Sequence, residues 1–334
     1  MLGLTQRLLK INPREVEFVR RGFVCSDPQI QNRLENIGRI FLQGYHAALE
    51  DSHQDALVKR LDQVELEQRG FAYEGAAMAL ALRDGISFRG PAFPRFIAGA
   101  GRQHIFMLHV GAGWAYARLP WMRRCIEAAI TRFHPVLRWL VIDGYGFHQG
   151  YFHWRTPSRI AGSLARLSPD ARHVFYQGLG RSLWFSCGAD PRGISHTIAK
   201  FAPLYHPDAW SGVGLACAYA GGIAADAIAE LRREAGENAS ALAQGAAFAA
   251  KARQLAGNPA THTQIACAVL CGVSAEQAAA LCDETFAQTD PLLPCPYQHW
   301  RKLLQSLFSS SQISIRGQAN EYRTSPLLVA AEPH

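Results

Sequence analysis

Small residues recur at helical spacing along much of this chain, inside runs that are rich in alanine. Two examples are "FAYEGAAMALAL" and "LAQGAAFAAKAR". Alanine is the strongest helix former, and small residues at helical spacing let neighbouring helices approach closely. Strand-like runs such as "RWLVID" are isolated and lack the regular alternation and hairpin turns of a sheet. The pattern therefore predicts an all-α fold.

Glycine marks a repeat within these helical segments. A first series has equal steps of 67 residues (111 − 44, 178 − 111 and 245 − 178) and consists of Gly44, Gly111, Gly178 and Gly245. A second series lies between its members, with steps of 69, 68 and 60 residues (144 − 75, 212 − 144 and 272 − 212), and consists of Gly75, Gly144, Gly212 and Gly272. The spacing predicts about four tandem units of ~67 residues, each with two or three helices.

Repeated helical units bury their faces only against their neighbours. We therefore expect helical hairpins that form one domain, either curved as a solenoid or closed as an α/α toroid. Closure would leave a central cavity lined by the glycine-marked helices. The predicted boundaries are an N-terminal basic helix and lead-in at 1–32, the helical repeat domain at 33–308 and a mobile C-terminal tail at 309–334.

Composition narrows the classes of protein to consider. The net charge is +7, but Lys and Arg are spread out rather than gathered into the stripe typical of nucleic-acid binding, so no nucleic-acid partner is predicted. No uncharged apolar run approaches the roughly 18 residues of a membrane span, and no secretory signal is visible. Eight cysteines without a C-x-x-C pair predict reduced thiols in a cytoplasmic protein.

The glycine-marked segments resemble those of a known family. They are "RGFAYEGAAMALALRDG", "GAGWAYARL", "LRWLVIDGYGFHQGYF", "QGLGRSLWF", "SGVGLACAYAGG" and "AQGAAFAAKAR". This set resembles the DUF1702 proteins, which are encoded beside the iterative polyketide synthases that make enediyne antibiotics. The resemblance implies a role in converting a linear polyene towards the enediyne core, with a hydrophobic polyene as ligand and other enediyne pathway proteins as further candidate partners. It implies no catalytic residues, and the oligomeric state stays open.

Two carboxylates stand directly before glycines of the second series, Glu74 and Asp143, where the other units carry Ser211 and Cys271. One interpretation is that they cap helix starts, where a carboxylate is stabilised by free N–H groups. The other is that they face the cavity as acid and base. Burial among aromatic residues would raise a carboxyl pKa towards neutrality, as general acid catalysis requires. Glu74, Asp143 and the nearby His148 are the candidate catalytic residues.

Aromatic and polar residues of the marked segments are candidates for substrate binding. A flat conjugated polyene needs an apolar slot with a few polar anchors, and Gln177 and Arg181 lie one turn apart as anchors for a carboxylate or enolate. The alternative is that each residue is core or a structural pair. The candidates are Tyr73, Trp114, Tyr116, Tyr145, Gln149, Gln177, Arg181, Trp184 and Trp210.

The segment "DGYGFHQGYFH" admits two further interpretations. Its G-x-G-x-x-x-G spacing approaches a dinucleotide fingerprint, but such a loop needs a preceding strand, whereas this unit is helical. His148 and His153 are five residues apart, which does not fit two metal ligands on one helical turn, although His109 or Glu74 could complete a set with Asp143. No metal and no cofactor are predicted.

Three functions therefore stay open. The first is an enzyme that acts on a polyene by cyclisation, isomerisation or oxidation. The second is a non-catalytic helical scaffold or chaperone that bridges pathway enzymes. The third is a metal-dependent oxygenase.

Overall fold

The computed structural model describes residues 9–51, 53–86 and 91–309, and these residues contain helices and no strand. The prediction of an all-α fold is confirmed. Seven long helices follow one another along the chain: α1 (Pro28–Glu50), α2 (Arg69–Ile86), α3 (Ile105–Arg118), α4 (Leu140–His153), α5 (Pro169–Ser186), α6 (His206–Ala220) and α7 (Ala239–Ala256). Helix α1 runs across the predicted boundary between 32 and 33. Residues 1–8 and 310–334, in the predicted end segments, lie outside the described residues.

Shorter helices connect the long ones. The connecting helices are Gln54–Leu61, Ala92–Ala98, Pro120–Arg124, Ile126–Ala129, Pro157–Leu164, Pro191–Ile198 and Ala225–Ala235. After α7 come Thr261–Cys271, Ala275–Ala287 and the final long helix α8 (Pro296–Ser309). Single turns of 3-10 helix lie at Pro13–Val16, Leu66–Gln68, Arg102–His104, Ile130–Arg132, Leu137–Trp139, Pro203–Tyr205 and Gly236–Asn238, and a short α-helix at Phe18–Arg21.

Several helices begin at a capping residue followed by proline. The Asp27 side chain accepts a hydrogen bond of 2.7 Å from the backbone N–H of Gln29, and Pro28 is the first residue of α1. The same arrangement starts α5 at Ser168-Pro169 and a connecting helix at Asp190-Pro191. The cap satisfies a free N–H group, and proline fits the first turn because its missing N–H is not needed there. These local signals set where the helices start.

Glycines bring the backbones of successive long helices into contact. A Cβ atom added to Gly144 of α4 would lie 2.0 Å from the carbonyl oxygen of Val110 in α3, and one added to Gly146 would lie 2.1 Å from that of Phe175 in α5. One glycine of the G-x-G pair thus faces the preceding helix and the other faces the following helix. The pairs are Gly111 and Gly113, Gly144 and Gly146, Gly178 and Gly180, and Gly212 and Gly214. At such crossings a Cα–H group approaches a carbonyl oxygen, a weak attraction that recurs between closely packed helices.

The glycines that face the preceding helix are Gly75, Gly111, Gly144, Gly178, Gly212 and Gly245. By subtraction their spacings are 36, 33, 34, 34 and 33 residues, so the contacts repeat once per long helix, at about half of the 67-residue step. Gly272 is not a member of this series: it ends the helix Thr261–Cys271 with φ 71°, and no atom lies within 4 Å of an added Cβ. The prediction that Cys271-Gly272 marks a fourth equivalent site was wrong.

Ion pairs and ring contacts join elements that are distant in sequence. Arg33 of α1 donates to the carbonyl oxygen of Ala220 at the end of α6 (2.7 Å), and Phe71 of α2 packs edge-on against Tyr219 of α6. Arg301 of α8 donates to the buried carboxylate of Asp208 in α6 (2.7 Å). The row of long helices therefore bends until α1 and α2 meet α6. Arg301 attaches α8 to α6.

No single helix among the described residues is long and apolar enough to cross a membrane. The bent pair Thr261–Cys271 and Ala275–Ala287 reaches that length and apolarity when its two helices are counted together.

Substitution of a crossing glycine tests whether backbone contact holds the array together. In Gly178→Ala the new methyl group would lie 2.0 Å from the carbonyl oxygen of Asp143, so α4 and α5 must separate. We expect the free energy of unfolding in urea to fall by about 3 kcal/mol. Gly162→Ala is the matched control, because its methyl group would meet no atom within 4 Å, and the higher helix propensity of alanine should raise stability by up to about 1 kcal/mol. Equal effects of the two substitutions would contradict the role of the crossings.

Candidate functional site

A cavity lies between α1, α2, α3, α4, α5 and α6. The space among its lining side chains is about 730 Å³, including the part that is open to solvent. Most of the lining is aromatic or aliphatic, and it includes Phe41, Phe71, Trp114, Phe147, Tyr151, Phe152, Phe185, Leu215 and Tyr219. Ligand pockets commonly have mainly apolar walls with few polar groups. This cavity is therefore the first candidate for a functional site.

The aromatic side chains form a continuous wall. The ring centroid of Trp114 lies 4.8 Å from that of Phe41 and 5.0 Å from that of Phe147, and Phe147 lies 5.6 Å from Phe185. Tyr151 lies 5.8 Å from Phe185 on the same side. Aromatic surface of this extent offers edges and faces to an unsaturated hydrocarbon, and its rings fix each other in place.

The segment that precedes α1 covers one side of the cavity. Ile11, Glu15 and Val16 line the space, and the segment is fastened at several points. Tyr45 donates to the carbonyl oxygen of Leu9 (2.7 Å), and the backbone N–H of Phe18 donates to Glu35 (2.9 Å). The cover therefore consists of residues that belong to no long helix.

Glu74 is the buried acid of this cavity. It is the sixth residue of α2, its side chain lines the cavity, and its Oε1 atom has no hydrogen-bond partner among the described residues. Burial raises the pKa of Glu74 to about 7; the guanidinium of Arg181 lowers it and the carboxylate of Asp143 raises it further. The capping interpretation fails for Glu74, because a residue more than one turn into a helix faces no free backbone N–H group.

Asp143 lies behind the cavity wall in a fully buried polar cluster. It pairs directly with Arg181, and its other oxygen accepts a hydrogen bond from Gln177 (2.9 Å). Gln177 also contacts the hydroxyl of Tyr297 in α8 (2.8 Å). Burial raises the pKa of Asp143, while Arg181 and Gln177 act in the opposite direction. Although Asp143 lies in the first turn of α4, these hydrogen bonds go to side chains of other helices, so it is not a helix cap.

Arg181 connects the two carboxyl groups. Its guanidinium reaches the cavity, pairs with Asp143 and lies 4.8 Å from the ring centroid of Phe147. Burial acts to lower the pKa of Arg181, but Asp143 and Glu74 more than reverse that effect and raise it. The cavity lining therefore contains one fixed cation, Arg181, and two carboxyl groups: Glu74, which is unpaired, and Glu15, which pairs with Arg20 and Arg21. The paired carboxylate of Asp143 lies behind the wall.

Two further buried polar atoms on the cavity wall have no hydrogen-bond partner among the described residues. They are the indole N–H of Trp114, which lies close to the Glu74 carboxyl, and the hydroxyl of Tyr219, which lies close to Asn258; neither makes a hydrogen bond of normal geometry. Buried polar groups are nearly always hydrogen-bonded, so weakly satisfied groups around one space indicate a place for a ligand or ordered water. Together with Glu74 and Arg181 they give the apolar cavity its polar contact points.

Comparison with known proteins identifies the family of the chain. The sequence pattern of the family described as protein of unknown function (DUF1702) matches residues 1–308. The chain belongs to the DUF1702 family. No curated protein and no solved structure matches it.

The other candidate catalytic residue, His148, does not line the cavity of this DUF1702 protein. Its ring lies on the far side of Trp114, 5.5 Å between centroids, and 4.7 Å from the ring of Phe152. Burial lowers the pKa of His148 well below its usual value, and the nearby Arg118 adds to that shift. The histidine is therefore neutral and separated from Glu74 by an indole ring.

Several candidate binding residues lie elsewhere in the DUF1702 fold. Tyr73 donates to Asp62 (3.1 Å) and stacks on His104 in a separate pocket, and Tyr116 accepts from Arg132 (3.0 Å). Trp184 is buried in the core and donates to the carbonyl oxygen of Gly221.

Trp210 is also buried in the core, outside the cavity lining. Tyr145 packs against Phe175, and Gln149 lines another pocket. Of the predicted set, the structure brings Glu74, Trp114 and Arg181 together at the cavity, with Asp143 and Gln177 behind them.

Residues absent from the predicted set complete the site. Phe41, Phe185 and Leu215 line the cavity, and Tyr297 reaches the polar cluster from α8. Spacing in the sequence could have identified many of the cavity residues, because they lie three or seven positions after a crossing glycine. They are Trp114, Phe147, Arg181 and Leu215 at the first position, and Tyr151, Phe185 and Tyr219 at the second. Nothing comparable points to Tyr297, since α8 carries no such glycine.

The side chains considered as metal ligands do not come together in the structure. Among the residues that the structure describes, no three His, Cys, Asp or Glu side chains come together in an arrangement that could hold a metal ion. The rings of His148 and His153 are 6.1 Å apart between centroids, while Asp143 is occupied by Arg181 and Gln177. Two histidines and Asp143 therefore do not form the 2-His-1-carboxylate arrangement of a metal site.

The raised pKa of Glu74 predicts a pH dependence of stability. Folding raises this pKa from 4.5 to about 7. Between these pH values the folded state keeps a proton that the unfolded state has lost, so the free energy of unfolding is highest at low pH and falls as the pH rises towards 7. Glu74→Gln removes the group that must ionise. Relative to the parent, the variant should therefore gain stability between about pH 4.5 and 7, approaching about 3 kcal/mol in urea unfolding. Glu284→Gln, at an exposed carboxylate, is the control; identical pH profiles for Glu74→Gln and the parent would contradict the raised pKa.

Proposed function

We propose that this DUF1702 protein binds an elongated, hydrophobic polyene of polyketide origin in the central cavity and converts it, by proton transfer at Glu74, towards an enediyne-type core. One observation carries the proposal: a buried carboxyl group with a pKa of about 7 and an unpartnered oxygen lies in the wall of an otherwise apolar, aromatic cavity. A protein that only stored a hydrocarbon would gain nothing from such a group, because burying an unpaired carboxyl costs stability.

Glu74 supports isomerisation or cyclisation of a polyene. With a pKa near 7 both of its protonation states are populated at neutral pH, which suits a general acid and base. The acid delivers its proton to one carbon of the conjugated chain, and the resulting carboxylate removes a proton from another carbon. The double bonds shift or a ring closes, and Glu74 is regenerated with no net oxidation. We favour these two reactions over oxidation because Glu74 alone provides what they need.

The positive charge of Arg181 would determine how a charged ligand is oriented in the cavity. Its guanidinium is buried, permanently charged and held in place by Asp143, and it is the cation of the cavity wall. A carboxylate or enolate end of the ligand would pair with it, leaving the hydrocarbon part along the aromatic wall. Charge development next to Glu74 during proton transfer would also be stabilised by this fixed cation.

We also propose that α1 to α7 form one helical repeat, curved as a superhelix rather than closed as a toroid. The regular glycine crossings support a repeat. The contact between Arg33 and Ala220 supports one turn that brings α6 back to α1, with α7 continuing beyond it. In a cytoplasmic setting the eight free cysteines would stay reduced.

Ligand binding can be tested by filling the cavity. A fluorescent conjugated polyene acid serves as the probe. Leu215→Trp places an indole in the cavity and should raise the Kd of the probe at least about tenfold, a change of about 1.4 kcal/mol. Leu204→Trp, at an exposed leucine, is the matched control and should leave the Kd unchanged. Equal binding by both variants would place the probe outside the cavity.

Proton transfer can be tested in heavy water. The protein is incubated with the polyene acid in D2O, and deuterium incorporation at carbon is measured by mass spectrometry. Glu74→Gln keeps the size and polarity of the side chain, so it should bind the probe normally and lose at least about 100-fold in incorporation rate. Normal binding without incorporation by the parent protein would favour the alternative, a non-catalytic helical carrier or scaffold.

A further inference from the structure

A second pocket lies on the other side of α4, away from the central cavity. It is bounded by α4 and by the connecting helices Pro120–Arg124 and Pro157–Leu164, and its space is about 590 Å³ including the part open to solvent. Its lining residues are Arg123, Gln149, Arg159, Gly162, Ser163 and Arg166. Phe147 and Tyr151 of α4 face the central cavity, while Gln149 faces this pocket, so the two sites share a wall.

Three of the six lining residues of the pocket are arginines, and none is acidic. Arg123, Arg159 and Arg166 make no ion pair with any carboxylate of the described chain. Arg159 and Arg166 are exposed and Arg123 is half-buried, so solvent screens part of their mutual repulsion, and an anion bound between them would offset the rest. Arginine also presents several N–H donors in a planar fork that matches oxyanions.

The floor of the pocket provides neutral polar groups. Gln149 is 2 % exposed, and its side chain makes no hydrogen bond within the described chain. Behind it, the hydroxyl of Tyr145 is buried beside Ser163. Burial raises the pKa of Tyr145, while Ser163 and the nearby Arg123 and Arg166 act in the opposite direction. A buried amide thus faces three cations that have no carboxylate partner.

We propose that this pocket binds a phosphate group, held by Arg123, Arg159 and Arg166 with Gln149 as an additional donor. A phosphate dianion matches the site better than a single carboxylate, because its tetrahedral oxygens can accept from three guanidinium groups and an amide at the same time. Gly162 leaves the rim open, since a Cβ there would meet no atom within 4 Å. The site is independent of proton transfer at Glu74, which lies in the other cavity.

Calorimetric titration with inorganic phosphate at low salt tests the site. We expect saturable one-to-one binding, weakened by added NaCl. Arg159→Gln with Arg166→Gln should raise the Kd at least about tenfold, whereas the charge-matched pair Arg232→Gln and Arg233→Gln on an exposed face should change it less than about twofold. Phosphate should also raise the thermal unfolding midpoint of the parent and of the control, but not of the Arg159 and Arg166 variant.

A substitution of similar size tests the floor of the pocket. Gln149→Leu removes the amide and should weaken phosphate binding about threefold or more without lowering the unfolding midpoint. The dicarboxylate succinate is the comparison anion and should bind at least about tenfold more weakly than phosphate. The proposal is overturned if phosphate shows no saturable binding, if the double arginine variant binds it as tightly as the parent, or if succinate binds equally well.

Discussion

Direct contact between helix backbones is the interaction on which this DUF1702 structure depends. At each crossing a glycine of one long helix lies against a carbonyl oxygen of its neighbour, and the G-x-G pairs repeat this contact on both sides of a helix. The crossings determine the positions of the cavity side chains that the long helices carry. Trp114, Phe147 and Arg181 come from three consecutive helices and meet at one level because each follows its crossing glycine by three residues.

The electrostatics of the cavity follow from an imbalance of charge. One buried guanidinium faces two carboxyl groups, and it pairs directly with Asp143. Glu74 has no hydrogen-bond partner for Oε1, and in apolar surroundings an unpaired carboxyl group holds its proton more tightly. Removing Asp143 would leave Arg181 buried without its partner and would destabilise the fold, so Asp143 positions the cation. Glu74 is the group that stays free for chemistry.

The all-α fold and the positions of the crossings could be predicted from the sequence, because helix propensity and glycine spacing are local properties. The predicted unit of ~67 residues spans two long helices, and the glycine contacts recur once per long helix within it. Trp114, Trp184 and Trp210 all lie near crossing glycines, but only Trp114 lines the cavity. Residue type does not distinguish a cavity wall from a core. The role of Tyr297, 120 residues from Gln177 in sequence, depends on tertiary folding alone.

The crossings also determine how a ligand can reach Glu74. Helices whose backbones touch leave no gap between them through which a molecule could pass, and they cannot spread apart without breaking several contacts at once. The wall between α1 and α6 is therefore closed along its sides. The segment that contains Ile11, Glu15 and Val16 belongs to no crossing; hydrogen bonds and the burial of Ile11, Val16 and Phe18 hold it in place. A ligand therefore has fewer backbone contacts to break on this side of the cavity than between two crossing helices.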